Sequence, residues 1–140
     1  MKAWEILIID GQGGKIGSQV ISMIRDRLPE YSISITAVGT NSIATAAMLK
    51  AGADFAATGE NPVAVASRSA DVIIGPLGIV IADALIGEVT AEMAVSVGRS
   101  PAAKILIPVN KCGNLVAGVE GLNTTELLAD VIVKLKNLFA

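Results

Sequence analysis

Short aliphatic runs alternate with helix-like segments along this chain, and this alternation constrains the fold more than any other feature. Five runs have the length and composition of β-strands, at residues 4–9, 32–38, 53–57, 71–75 and 104–109. Strands that alternate with helices form a parallel sheet through right-handed crossovers. The sequence therefore predicts a three-layer, doubly wound, Rossmann-like α/β fold with about five parallel strands. We expect residues 1–140 to form a single domain.

Caps and stop signals predict the first two helices. Apolar residues at helical spacing begin at Ile16 and continue to Leu28, before Pro29. Asn41 or Ser42 is expected to cap the second helix, which should end at Gly52.

The later helices have similar signals. Asn61 followed by Pro62 predicts an N-cap with proline at the first helical position. Helical segments are expected at 78–86 and 91–98, which makes Asp83 and Glu88 solvated cap residues.

The C-terminal part is predicted to hold a turn, a strand and a helix. The turn covers 110–114, and residues 115–119 should pair back as a short sixth strand. Asn123 and Glu126 resemble a capping box for the last helix. The inner face of that helix should contain Leu127, Leu128, Val131, Ile132, Leu135 and Leu138.

Composition narrows the class of protein. Of the 140 residues, 52% are hydrophobic but only 3% are aromatic, which is typical of a buried parallel sheet flanked by helices. Mean hydropathy is +0.63, so we expect part of the surface to be covered in a homo-oligomer, a dimer or larger. A monomer with a tight, alanine-rich core is the alternative.

Charge and patterning argue against several partners. The net charge is −2 and no basic block is present, which disfavours nucleic-acid binding. The most apolar stretch, 72–87, is interrupted by glycine, proline and aspartate, so no membrane span is expected. The single cysteine allows no internal disulfide. These features predict a cytoplasmic protein.

Parallel sheets bind ligands beyond the carboxyl ends of their strands. The loops that follow the predicted strands are 10–17, 39–42, 58–61, 75–78 and 110–114, and they contain most of the unusual glycine and polar residues. We therefore expect a ligand site at this edge.

The first of these loops is rich in glycine. It reads IDGQGGKIGSQ and contains Gly11, Gln12, Gly13, Gly14, Lys15, Ile16 and Gly17. Glycines between a strand and a helix let a phosphate approach backbone amides at the positive end of the helix dipole. The alternative is a tight packing turn with no ligand.

The spacing of the glycines distinguishes between known phosphate loops. The Walker pattern and G-x-G-x-x-G both fail, since position 16 is isoleucine. The spacing G-x-x-G-x-x-G fits at Gly11, Gly14 and Gly17. It resembles the loop of atypical NAD(P)-binding Rossmann domains, including the dihydrodipicolinate reductase type.

The end of the second strand favours NADP(H) over NAD(H). No carboxylate is available there to hold ribose hydroxyls, whereas Thr40 and Asn41, with Lys15 nearby, can bind a 2′-phosphate. Asp10 would repel a phosphate unless it points away, binds Mg²⁺ or accepts hydrogen bonds from turn amides. The last interpretation is favoured.

Two further loops can border a nucleotide. Gly59, Glu60 and Asn61 can contact a ribose or a base, or simply begin a helix. Gly75 and Pro76 can line the opposite side of the site, or simply form a rigid bend.

Candidate catalytic groups are few. The chain has no histidine, which removes Ser-His-Asp and Cys-His systems. Lys111 could donate a proton and Cys112 could react as a thiolate, and Asp10 is a third candidate. A surface hairpin with an ordinary lysine and a half-buried cysteine is the favoured interpretation of Lys111 and Cys112.

Several segments together resemble one known group. These are IDGQGGKIG, GTNSIATAAMLKAGA, ATGEN, ADVIIGPLGIVIADALIGEVTAEMA and PVNKC. They look like an uncharacterised family of short bacterial Rossmann-like proteins, a domain of unknown function. The resemblance implies the fold and a cytosolic protein, and it assigns no activity.

The sequence thus predicts a protein that binds a phosphate-bearing nucleotide, with NADP(H) as first choice. Two other functions fit the same residues. One is a ligand-sensing or regulatory module without chemistry, and the other is a small enzyme acting on a nucleotide or a phosphorylated substrate.

Overall fold

The structure, a computed structural model that describes residues 3–109 and 113–140, contains one all-parallel sheet of five strands. The strand order is β3-β2-β1-β4-β5. The strands are β1 (Trp4–Asp10), β2 (Ile33–Gly39), β3 (Phe55–Thr58), β4 (Val72–Pro76) and β5 (Ala103–Ile107). This confirms the predicted doubly wound parallel fold.

Helices cover both faces of the sheet. One face carries α1 (Lys15–Arg27), α2 (Ser42–Ala51) and α5 (Thr124–Phe139). The other carries α3 (Glu60–Ser69) and α4 (Ala91–Arg99), together with a short 3₁₀ helix at Leu77–Val80. The first three strands are added in one direction, from β1 to β3. The chain then passes back over β2 and β1 and adds β4 on the other side of β1, so the direction of winding reverses between β1 and β4.

The central strand β1 is buried on both faces because its side chains alternate between two cores. Ile6 and Ile8 pack with α1 and α5, while Leu7 and Ile9 pack with α3 and α4. All four are no more than 2% exposed. A strand covered on both faces needs continuous aliphatic residues, which is the pattern seen in the sequence.

Several predicted caps are confirmed. The Asn41 side chain accepts a hydrogen bond from the amide of Ala44 at 2.8 Å, and Gly52 ends α2. The capping box of α5 is present, with Asn123 and Glu126 each accepting from the other's backbone.

The third helix begins earlier than predicted, which corrects the assignment of Asn61 as its cap. Gly59 is the N-cap, with φ +103°, and the helix starts at Glu60. Asn61 is therefore the second residue of the helix.

The segment 78–86 is not an α-helix, contrary to prediction. After the 3₁₀ turn, residues 81–90 form successive turns, closed by hydrogen bonds from Gly87 to Asp83 and from Val89 to Ala84. Apolar residues fill this stretch on every side, so their periodicity could not distinguish a helix from a folded loop.

The predicted sixth strand at 115–119 is absent, although the five predicted parallel strands are present. Those residues form turns and coil, flanked and interrupted by Gly113, Gly118 and Gly121, all at positive φ. Residues with a left-handed backbone conformation at this spacing turn the chain too often for it to form a hydrogen-bonded strand beside β5. On α5, Leu138 is 39% exposed, so it lies outside the inner face predicted for it.

The packing of β1 against β4 predicts the effect of a small substitution. A Cβ at Gly75 would run into the carbonyl oxygen of Ile9 on the neighbouring strand. Gly75→Ala should lower the free energy of unfolding by about 1–3 kcal/mol because the backbone must shift. Gly98→Ala is the control, because Gly98 lies in α4 and a Cβ at this residue would meet nothing within 4 Å. Chemical denaturation that shows equal stability for Gly75→Ala and the native protein would contradict this packing.

Candidate functional site

The loops at the carboxyl ends of β1, β2 and β3 are joined by backbone hydrogen bonds. The amide of Thr40 donates to the carbonyl of Asp10 at 3.0 Å, and the amide of Gly59 donates to that of Gly39 at 2.9 Å. This edge is the one that the sequence predicted for a ligand. The reversal of winding places the β1 and β4 loops next to each other there.

The glycines of the β1–α1 turn have different surroundings. Gly14 is the N-cap of α1, with φ +73°, and a Cβ there would lie 2.8 Å from the backbone of Ala44. A Cβ at Gly17 would lie 2.5 Å from the sulfur of Met48. At Gly13 a Cβ would meet nothing within 4 Å, so this glycine faces open space.

Asp10 closes the turn from beneath. Its carboxylate is 5% exposed, and it accepts hydrogen bonds at 2.8 Å from the amides of Gly11 and Gly17. Burial raises the pKa of Asp10 above its ordinary value, although these hydrogen bonds act to lower it. The charge of Glu88 raises the pKa further. The interpretation of Asp10 as an acceptor of turn amides is confirmed.

Glu88 lies over the same turn, and one of its oxygens, Oε1, binds three donors. The amide of Gln12 donates at 2.8 Å, the hydroxyl of Thr40 at 2.6 Å and the side-chain amide of Asn41 at 2.8 Å. Partial burial would raise the pKa of Glu88, but these hydrogen bonds hold the pKa below its ordinary value. The half-buried side chain is an ionised group within the predicted site and not a solvated cap.

Residues 81–90, which we call the covering segment, carry Glu88 to this position. Leu85, 3% exposed, reaches the turn, and a Cβ at Gly11 would lie 2.8 Å from it and 2.9 Å from Glu88 Oε1. At the end of the segment, Thr90 caps α4 and donates a 2.7 Å hydrogen bond to Glu60. The segment therefore closes the crevice between β1 and β4.

The covering segment has an unusual backbone. Asp83, Leu85 and Ile86 have φ values of +67°, +56° and +56°, a region that favours glycine, and Gly87 follows at +83°. Ile86 is 94% exposed, so burial of its side chain does not offset its strained backbone.

The structure brings four of the predicted binding residues together and separates others. Gln12, Thr40 and Asn41 meet at Glu88, with Gly11 beneath, and Asn41 also donates to the Gln12 carbonyl at 2.9 Å.

The remaining predicted residues lie around this centre. Lys15 is exposed and Ile16 is half-buried at the start of α1. Gly59, Glu60 and Asn61 lie at the start of α3, where Glu60 contacts Thr90. Gly75 and Pro76 are buried in β4, where Gly75 serves close strand packing. The candidates Lys111 and Cys112 lie outside the described residues.

Sequence reasoning missed Glu88 as a site residue. A usable signal was present, since Thr90 can cap a helix at 91–98 and this places Glu88 in the connection after β4. Every such connection in a parallel sheet reaches the carboxyl edge. The carboxylate beside Thr40 therefore comes from the connection after β4 and not from the end of β2.

The fold and the glycine turn at its reversal point define a Rossmann-like α/β protein. The chain belongs to the family described as a domain of unknown function (DUF3842), whose model matches residues 5–140, which confirms the expected uncharacterised family. No curated protein gives a significant match.

A crystal structure of a dodecameric FMN-dependent UbiX-like decarboxylase from Escherichia coli O157:H7 is similar, with 12% identity and a TM-score of 0.41. The match covers 96% of this chain and 93% of that one. At that likeness no property of the decarboxylase carries over.

The helices found in residues 3–109 and 113–140 are too short or too polar to span a membrane.

The charge of Glu88 predicts a pH-dependent contribution to stability. Glu88→Gln should be less stable than the native protein by about 1 kcal/mol near neutral pH, because a neutral acceptor binds the same donors more weakly. The folded-state pKa lies below the ordinary value of 4.5, so this difference should be lost as the pH falls below that value. Chemical denaturation of both proteins at several pH values measures this difference in the free energy of unfolding.

Two points make this measurement specific. Burial, the main cause of the raised pKa of Asp10, does not depend on Glu88, whereas loss of the Glu88 charge relieves part of that rise and partly offsets the effect of the weaker hydrogen bonds. Glu92→Gln changes the same charge at an exposed position of α4. A difference for Glu88→Gln that persists unchanged at acidic pH, or equals that of Glu92→Gln, would show that the carboxylate charge does not hold the turn.

Proposed function

We propose that this protein binds a phosphate-bearing nucleotide at the carboxyl edge of its sheet, over loops 10–17, 39–42, 58–61 and 75–78. The observation that supports this most directly is the convergence of three donors on one negatively charged oxygen. The amide of Gln12, the hydroxyl of Thr40 and the amide of Asn41 come from two different loops. Donors in this arrangement suit a phosphate oxygen as well as a carboxylate.

The start of α1 adds a second source of attraction for an anion. The helix has 13 residues, and the positive end of its dipole lies at the glycine turn. Gly13 leaves its backbone accessible, and the exposed cation of Lys15 is two residues further along. The turn thus offers a phosphate both amides and charge.

NADP(H) remains the first ligand to test. Thr40 and Asn41, the predicted partners of a 2′-phosphate, already donate hydrogen bonds to an anion, the carboxylate of Glu88. The strength of binding to NADPH relative to NADH measures whether a 2′-phosphate uses them.

A ligand-sensing module is the second candidate, and the covering segment favours it. Three non-glycine residues at positive φ are strained, and strain of this kind occurs at clamps and switches. Such a segment can change position when a ligand binds, without any reaction. A small enzyme acting on a nucleotide or a phosphorylated substrate would use Lys111, or Asp10 with Mg²⁺, and these roles stay predictions.

We also propose that the protein is a cytoplasmic homo-oligomer. Several large apolar side chains are more than half exposed, and those on the described surface include Ile43 at 71%, Phe55 at 63% and Leu115 at 96%. Exposed apolar area of this kind is often covered by another subunit. Sedimentation equilibrium should give a mass of at least two chains, and a single-chain mass at all concentrations would contradict the proposal.

Substitution of Gly13 tests the nucleotide site without disturbing the fold. Calorimetric titration of the native protein with NADPH, NADH, ATP and inorganic phosphate, with and without Mg²⁺, should show binding of at least one nucleotide. Gly13→Leu should weaken that binding by about tenfold or more, because a side chain would cover the amides that a phosphate approaches. Gly14 is unsuitable, since a Cβ there meets the backbone of Ala44.

Gly98→Leu is the matched control. A Cβ at Gly98 also meets nothing within 4 Å, and this residue lies in α4 away from the turn. It should bind the nucleotide as the native protein does. If no nucleotide binds, or if Gly13→Leu binds as well as the control, the glycine turn is a packing turn and the proposed function is wrong.

A further inference from the structure

Glu88 occupies the position in which the proposed function places an anionic group of the ligand. Its Oε1 atom takes the Gln12 amide, the Thr40 hydroxyl and the Asn41 amide together. We propose that Glu88 is a built-in competitor, and that a phosphate of the ligand binds by displacing its carboxylate from these donors. This inference rests on the proposed function and concerns the regulation of the same site.

Electrostatics make the two occupants mutually exclusive. A phosphate on the same donors would lie against the carboxylate of Glu88, with the second carboxylate of Asp10 beneath the turn. Like charges in a partly buried site repel each other strongly. The phosphate can bind these donors only after Glu88 leaves them.

Packing leads to the same conclusion. Leu85 and Glu88 both lie within 3 Å of the place where a Cβ of Gly11 would be. The Thr40 hydroxyl, one of the three donors, lies there as well, so Leu85 stands beside the donors that Glu88 occupies. A phosphate, which is larger than a carboxylate, would need room on these donors that the covering segment fills, so we infer that the segment moves together with the Glu88 side chain.

Backbone strain in the covering segment offsets part of the energy that this movement needs. Leu85 and Ile86 are held at positive φ, and a change of position lets both return to ordinary backbone conformations. Both ends are anchored, since the Ile81 amide donates to the Gly78 carbonyl at 2.9 Å and Thr90 binds Glu60. The movement is confined to the residues between these anchors.

Removal of the competing charge should strengthen ligand binding. We expect Glu88→Gln to bind the nucleotide identified in the titration panel about tenfold more tightly than the native protein, because more of the protein has the donors free. A residue that contacts the ligand would give the opposite sign. Glu92→Gln, the same change at an exposed position, should leave the affinity unchanged.

A second variant acts on the segment without touching the donors. Asparagine accepts a left-handed conformation better than isoleucine, so Ile86→Asn should stabilise the closed position. Ile86 is 94% exposed, so little packing is lost. Nucleotide binding should weaken by roughly fivefold, the reverse of Glu88→Gln.

The outcomes separate this inference from the proposed function. Tighter binding by Glu88→Gln and weaker binding by Ile86→Asn support both. If the native protein binds a nucleotide but Glu88→Gln binds equally or more weakly, Glu88 is a ligand contact or a structural group, and only the competitor role is overturned. If neither the native protein nor Glu88→Gln binds any nucleotide or phosphate, both fail. If Glu88→Gln does not fold, unchanged affinity in Ile86→Asn is sufficient to overturn the inference.

Discussion

The burial of β1 on both faces is the constraint on which the rest of the molecule depends. Its four central side chains divide between two cores, so the strand can neither slide nor turn over without exposing one set of them. Asp10 is the last residue of this strand, and its carboxylate is thereby fixed beneath the amides of Gly11 and Gly17. The geometry of the glycine turn thus follows from the packing of the sheet.

Two carboxylates then share this turn, and their environments differ. Asp10 is buried and held by backbone amides, and its pKa is raised, whereas Glu88 is half-buried with its pKa lowered by three donors. The negative charge of Glu88 opposes that of Asp10, so the closed arrangement contains a repulsion within it. An arrangement that combines strong hydrogen bonds with like-charge repulsion and a strained backbone is suited to exchange with another anion.

Local signals in the sequence predicted the sheet, most helices, the caps at Asn41 and Asn123, and the role of Asp10. They failed for the covering segment because its conformation is set by distant contacts. Glu88 meets Gln12 across 76 positions of sequence, and Leu85, one of the strained residues before it, packs on the turn. In a stretch that is apolar on all sides, periodicity contains no information about such a contact. The carboxylate beside Thr40 comes from the connection after β4, so the residues that follow β2 give no sign of it.

The three glycines of the G-x-x-G-x-x-G spacing have packing reasons that need no ligand. A side chain at Gly11 would meet Thr40, one at Gly14 the backbone of Ala44, and one at Gly17 Met48. The glycine outside that spacing, Gly13, is the one with open space before it. The pattern therefore reports how closely α1 and the neighbouring loops approach β1, whereas the donors of the proposed anion site are Gln12, between its positions, and Thr40 and Asn41, in the loop after β2. A match to such a spacing is evidence for the turn, and the proposed ligand is supported by the donors that Glu88 now occupies.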